Sequence, residues 1–466
     1  MATINVGNNL QLRTAIQGAA SIDIINITAS NLSGVTTLGK LSSFSPAATP
    51  FSGYTIQGST GSALNRTVNN TRIYQQNIDG PYSPGIVKNL TLRYLSGSND
   101  TNALLSATTG NFTLDNVILT GSHKGWAGNG NKYFSLTSFD AAAPITVPLA
   151  IINSTIRLTG QETFDQATGA GGSAFLHSWN NNGPVTITGS TFDEAGFLSS
   201  FNFLGTGASP SGNYTISNNT FVGGSTVRAE GNRLQNVNAT LSGNDFAGGS
   251  YLDLYGDLSG ITIGPSNLFE TIADVNDPNV LGYGIRITAP NTPAASKTLS
   301  GINAFTGQGL AFKYVNATAN SSYRLAGTVE VEGTTLGTGT PVAAPFSNLI
   351  AGGQGSDSIT GTSSADWISG DLGNDTLTGG AGADAFVFGT PLNASTNVDT
   401  ITDFTAGTDQ IWLSSSIFSG VSSVADIKQT HIGLDLHLSY PNPSGDLFAV
   451  LQGVTTFLTN SNIQTF

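Results

Sequence analysis

GGQGSDSIT-GTSSADWIS-GDLGNDTLT-GGAGADAFV is residues 352–387, broken here every nine residues. An aspartate returns at Asp357, Asp366, Asp375 and Asp384, and an apolar residue follows two places later at Ile359, Ile368, Leu377 and Phe386. The pattern G-G-x-G-x-D-x-U-x, with U apolar, gives six residues to a turn and three to a short strand. Two repeats then complete one coil, with the apolar residue inward and each turn stacked on the turn one coil away. Glycine serves where the backbone takes positive φ and where carbonyl oxygens must converge. Carboxylate and carbonyl oxygens together are the hard ligands that Ca²⁺ selects. A flexible Gly-rich linker is the competing reading, and the aspartates and apolar residues keeping phase with each other argue against it.

The stretch resembles the RTX, or hemolysin-type, calcium-binding repeat. Carried over residue by residue, the resemblance sets the turn Gly352–Asp357 against Gly370–Asp375, and Gly361–Asp366 against Gly379–Asp384. It implies metal-binding roles for Gly352, Gly355, Asp357, Asp366, Gly370, Gly373, Asp375, Gly379, Gly382 and Asp384. GDLGND departs from the pattern at Asp371, which replaces the second glycine. GTSSAD departs further, with Thr362 and Ser364 at glycine positions, and this puts its site in doubt. Beyond it, GADAFVF and VDTITDFTAGTDQIWLS resemble the C-terminal domain of serralysin-type and related exported proteins. That resemblance covers residues 348–466. It implies Asp399 and Asp403 as further calcium ligands, Asp409 and Ile411 in capping strands, and an uncleaved C-terminal signal read by type I secretion machinery.

Upstream, short alternating segments recur: YTIQGST from Tyr54, LTLRYL from Leu90, FTLDNVIL from Phe112, LAIINSTI from Leu149 and VTITGSTF from Val185. YTISNNTF, ATLSGNDF, ITIGPSNLF and KTLSGINAF continue the series from Tyr214, Ala239, Ile261 and Lys297. Their matched apolar positions are Ile56, Leu92, Leu114, Ile151, Ile187, Ile216, Leu241, Ile263 and Leu299. One kept strand with a remainder of variable length is the mark of a solenoid, and period-2 alternation demands β structure. The pattern resembles the pectin-lyase-like right-handed parallel β-helix, including a capping helix in NLQLRTAIQGAA with Leu10, Ala15, Ile16 and Ala19 on one face. An ordinary β-sandwich is the alternative. Asn-x-Ser/Thr at Asn26, Asn31, Asn70, Asn89, Asn153 and Asn219 reads as glycosylation sites or, better, as Asn and Thr in turns. The expected organisation is all-β: a parallel β-helix over 1–333, a linker over 334–347, a calcium-binding β-roll over 348–389, and a C-terminal cap with the secretion signal over 390–466.

The chain has 466 residues, of which 38% are hydrophobic and only 10% charged, with 58 glycines and no cysteine. Ser, Thr, Asn and Gly replace the usual ions on its surface, as in extracellular matrix and fibre proteins. Of the net charge of −13, −10 falls from residue 347 onward, where eleven aspartates meet the single base Lys428. Such a tail argues for cations and against nucleic acid. No run reaches the roughly 20 apolar residues of a membrane span. MATINVGNNLQLRTAIQGAA is not a secretory signal, so the chain is either cytosolic or exported by a route that needs none. Where calcium is scarce the acidic tail stays expanded and threadable; outside, it folds on the ion.

The chemistry of the remainder is less defined. GSHKGWAGNGNKYF offers His123, Lys124, Trp126, Lys132 and Tyr133, with Glu162, Asp165 and His177 a coil or so away. His123, Lys124 and His177 are the candidates for catalysis on a uronic-acid polysaccharide, either cleavage or epimerisation. The Tyr-Gly-x-Asp-Pro-His signature of mannuronan epimerases is absent, since Asn279 follows Asp277-Pro278. The favoured expectation is a secreted, calcium-binding, non-catalytic structural protein that self-assembles as a surface layer or filament or serves as an adhesin for polysaccharide. The alternative is a secreted uronan lyase or epimerase.

Overall fold

The computed structural model describes residues 2–18, 23–29, 31–32, 36–37, 55–59, 67–69, 71–72, 85–95, 105–106, 111–122, 132–137, 146, 148–159, 174–179, 183–193, 197–201, 212–222, 226–231, 237–256, 258, 260–271, 283–288, 296–307, 310–315, 321–336, 338, 340–441 and 445–466. Among the described residues the regular structure is almost wholly β, with one α-helix, Asn9–Gly18, and two short 3₁₀ turns. The chain divides into two compact units, Met1–Asn244 with Asp257–Ile261, and Asp245–Gly256 with Thr262–Phe466.

In the first unit the helix is capped by Asn8, whose Oδ1 accepts from Gln11 N at 2.9 Å. Its buried face is Leu12, Ala15 and Ile16. Leu10 was expected on that face and is instead 75% exposed, because two residues of helix turn it about 200° from Leu12. Ala19 lies outside the described residues.

Alternating strands bury every second residue, and they pair in parallel along one continuous file. Ile56 stands beside Val87, Val87 beside Leu114, Leu114 beside Ile151, and Ile151 beside Ile187, followed by Ile216 and Leu241. The sequence reading found this file with one error, since Val87 and not Leu92 fills the second place. Strand Ile86–Leu95 serves two ladders, and Leu92 belongs to the other, between Val68 and Leu119. Asn89, at φ 55°, bends the chain between the ladders, so alternation after the bend was mistaken for alternation before it.

The same bend recurs at Asn116, Asn153 and Asn218, with φ of 52°, 48° and 55°, and at Gly189 and Gly243. Asn tolerates this left-handed conformation better than other side chains. Just inside the bend runs a buried polar ladder. Ser154 N donates to Ser190 Oγ at 3.0 Å, Ser190 N to Asn219 Oδ1 at 3.0 Å, and Asn219 N to Asn244 Oδ1 at 3.2 Å. Asn219 Nδ2 donates to the Ile187 carbonyl at 2.9 Å and its residue is 1% exposed, so it is a structural asparagine and not a glycan acceptor. Phe192 and Phe221 stack beneath, with ring centroids 5.1 Å apart.

In the second unit Phe246, Phe269 and Phe305 form a stacked file at 4.8 and 4.9 Å. Ile263 bridges Leu299 in parallel, as the repeat reading placed them. Of the segment 334–347, expected as a linker, residues 334–335 and 340–347 instead belong to a long antiparallel hairpin, Ser322–Thr335 against Thr340–Gly352. Pro341 and Pro345 are tolerated because that strand takes up a second partner only at 348–351, beyond both prolines.

From that strand the nine-residue beat becomes two parallel ladders. One carries Ile350, Ile368, Phe386, Ile411 and Ile463; the other carries Ile359, Leu377, Ile401 and Leu451. All of these residues share one buried core. The second ladder continues antiparallel from Asp446–Leu451 through Asp435–Tyr440 to Lys428–Ile432.

Candidate calcium site

Each coil of this roll brings its turns onto two edges, and the expected stacking is present on both. A carbon added to Gly352 would clash with the Gly370 carbonyl and lie 2.8 Å from Asp357 Oδ2. One added to Gly361 would clash with the Gly379 carbonyl and lie 2.7 Å from Asp366 Oδ2. Gly373, at φ 144°, sits over the Gly355 carbonyl; Gly380, at φ 95°, over that of Thr362; and Gly382, at φ 133°, over Ser364. Only glycine lets backbone oxygens and carboxylates crowd together in this way.

The aspartates form two files. On one edge Asp357 N donates to Asp375 Oδ1 at 2.8 Å, and Asp375 N to Asp399 Oδ1 at 3.2 Å. On the other, Asp366 N donates to Asp384 Oδ1 at 2.9 Å, and Asp384 N to Asp409 Oδ1 at 3.1 Å. Asp403 accepts from Gly379 N and Gly380 N, both at 2.8 Å. Asp357, Asp366, Asp371, Asp375, Asp384, Asp399 and Asp409 are all buried.

Amide donors do not balance so much buried charge. Burial and the neighbouring Asp357 push Asp371 up to about 6, against an opposing pull from Lys313. Burial, with Asp409, Asp366 and Asp403 nearby, pushes Asp384 up to about 6. Burial and the charge of Asp357 raise Asp375, burial and the charge of Asp375 raise Asp399, and burial raises Asp409. Buried Oδ1 of Asp371 and Oδ2 of Asp375 have no hydrogen-bond partner. Orphaned carboxylate oxygens beside converging carbonyls are what a hard divalent cation requires. Among the described residues no three acidic or histidine side chains meet closely enough to hold an ion by themselves. The carbonyls of Gly355, Thr362, Gly370 and Gly379, crowded against the facing turns, are the further oxygens that an ion here would need.

The degenerate repeat behaves differently. Asp366 Oδ2 accepts from Thr362 N, while Oδ1 accepts from Thr362 Oγ1 at 3.1 Å and from Asn348 Nδ2. The hydroxyl at the missing glycine has become a ligand of the carboxylate.

Residues 348–386 match the RTX calcium-binding nonapeptide repeat family, in four copies. Repeats of this family bind Ca²⁺, and the stacked turns here fit that ion. No curated protein matches the chain.

Other sequence candidates are not assembled by the described residues. His123 and Lys124 lie outside them, as do Trp126, Glu162 and Asp165. His177 lies on strand Ala174–Trp179, in register with Ser135 and Ser199. Two aspartates were undervalued. Asp409 precedes strand Gln410–Leu413 as Asp384 precedes Ala385–Phe388, a correspondence hidden by the longer spacing. Asp371 was read only as a lost glycine, although aspartate is among the few residues that tolerate its φ of 71°.

Proposed function

We propose that this is a secreted, non-catalytic structural protein of the cell surface or extracellular matrix, whose C-terminal roll folds on extracellular calcium. The observation that carries the reading is the pair of buried aspartate files, which no described lysine or arginine bridges, with orphaned oxygens on Asp375 of the first file and on Asp371 of the same turn. With few divalent ions such files repel themselves apart, and the chain can be threaded. At millimolar calcium the same charges become ligands. Export through type I secretion machinery accords with this, with the segment after 390 as the signal. Among the described residues no helix is long and apolar enough to cross a membrane.

The body is proposed to coil as a right-handed parallel β-helix. Support comes from its in-register parallel files, the bends at Asn89, Asn116, Asn153 and Asn218, and the Ser154–Asn244 hydrogen-bonded ladder. A surface of hydroxyls and amides, poor in charge, suits packing of copies into a layer or filament. Electron microscopy of the purified chain in millimolar calcium tests the structural role: ordered filaments or sheets support it, and dispersed monomers at every calcium concentration refute it.

A further inference from the structure

Resting on the calcium reading of the roll, we propose that Asp371 supplies a calcium-ligating carboxylate of its own. It makes the site between turns 352–357 and 370–375 the tightest of the roll and the first to fill. The corresponding position is Gly353 in the first turn, Thr362 in the second and Gly380 in the fourth. Only the third turn places a carboxylate there. That side chain is held in an unfavourable setting on two counts, a left-handed φ of 71° and an exposure of 7%. The left-handed conformation is strained for an L-residue, and burying an unpaired carboxylate costs more. Glycine would incur neither cost.

The surroundings fix the backbone and leave the carboxylate open. Thr390 Oγ1 donates to the Asp371 carbonyl at 2.9 Å, and Leu372 N to the Gly353 carbonyl at 3.3 Å, which seats this residue against the turn above it. Oδ1 of Asp371 and Oδ2 of Asp375, two buried oxygens of one turn, have no hydrogen-bond partner. Asp357, Asp375 and Asp399 are all within electrostatic reach of Asp371. Lys313 is the opposing charge, and it does not satisfy Oδ1. Two partnerless carboxylate oxygens joined to the Gly355 and Gly370 carbonyls form a more open anionic ligand set than the opposite edge supplies, where Asp403 already accepts from Gly379 N and Gly380 N. Affinity in calcium sites rises with ligand charge. On the opposite edge the equivalent position, Thr362, donates to Asp366 and competes with an ion instead.

Calorimetric titration of calcium into the chelator-treated full chain tests this with wild type, Asp371→Gly, Asp371→Asn and Asp375→Asn, each in 0.15 and 1 M salt. Glycine accepts the φ without strain, so Asp371→Gly keeps the test open should Asp371→Asn fold poorly. Both Asp371 variants are expected to weaken the tightest phase roughly tenfold or more at either salt, while keeping the number of sites; Asp375→Asn is expected to lose that phase. Wild-type affinity in the Asp371 variants overturns the proposal, as does a weakening that disappears in 1 M salt, which would mark a distant charge and not a ligand. Loss in Asp375→Asn alone would leave the calcium reading of the roll intact. A wild-type chain that takes up no calcium would overturn both.

Discussion

Acid should partly replace calcium in this roll. Asp371 has its carboxyl raised from 3.8 to about 6 in the folded chain. A raised carboxyl binds protons more tightly folded than unfolded. Its stabilisation is therefore complete below 3.8 and is lost as pH rises through 6. Between pH 7 and 4.5 the linkage relation gives about 2 kcal/mol for this residue. Asp384, also raised to about 6 and counted at half weight for screening, adds about 1 kcal/mol. Asp375, Asp399 and Asp409 act in the same direction. The roll of the chelator-treated chain, unfolded at pH 7, should thus gain about 3 kcal/mol or more on acidification, seen as a melting transition that appears at pH 4.5. Thermal melts followed by Trp367 and Trp412 fluorescence, in a chain with Trp126 and Trp179 replaced by Phe, would read it. With calcium present the sign reverses, because protons compete for the same oxygens. A metal-free roll that shows no more of a melting transition at pH 4.5 than at pH 7 would refute the electrostatic argument.

Three further outcomes follow from particular contacts. Gly380→Ala forces a left-handed φ and a clash with the Thr362 carbonyl, so it should destabilise the roll by roughly 1–3 kcal/mol and raise the calcium needed for folding. Asn219→Ala strands Ser190 N and breaks the buried ladder; the urea midpoint of the body should drop by the equivalent of about 2–3 kcal/mol, with calcium uptake unchanged. Phe269→Ala opens the centre of a three-ring stack and should cost about 3–5 kcal/mol in the same assay.

The sequence made the repeating parts legible because repetition itself is the signal. Ile350, Ile368 and Phe386 keep an 18-residue register, and so do Ile359 and Leu377. Beyond Phe386 the interval stretches to 25 residues at Ile411, where the turn at 393–397 is inserted, and the equivalence of Asp409 to Asp384 is lost to the eye. Residues 334–347 misled by composition. Gly, Pro and Thr look like a linker, yet paired strand runs up to Thr335 and resumes at Thr340, and prolines survive where a strand has one partner. Leu92 misled because a single Asn at φ 55° restarts the alternation. Asp371 was invisible as a ligand for a different reason. A departure from a pattern reads as a loss until the buried, partnerless oxygen it introduces can be located.

The central claim is that buried aspartate files need a divalent ion before the roll can hold its shape. Hydrogen exchange of the full chain, with peptides covering 348–413 followed across a calcium titration, tests it most directly. Protection there should appear between about 10⁻⁴ and 10⁻³ M calcium and vanish on chelation, while peptides from the strands at 149–242 stay protected throughout. Equal protection of 348–413 in chelator and in calcium would contradict it.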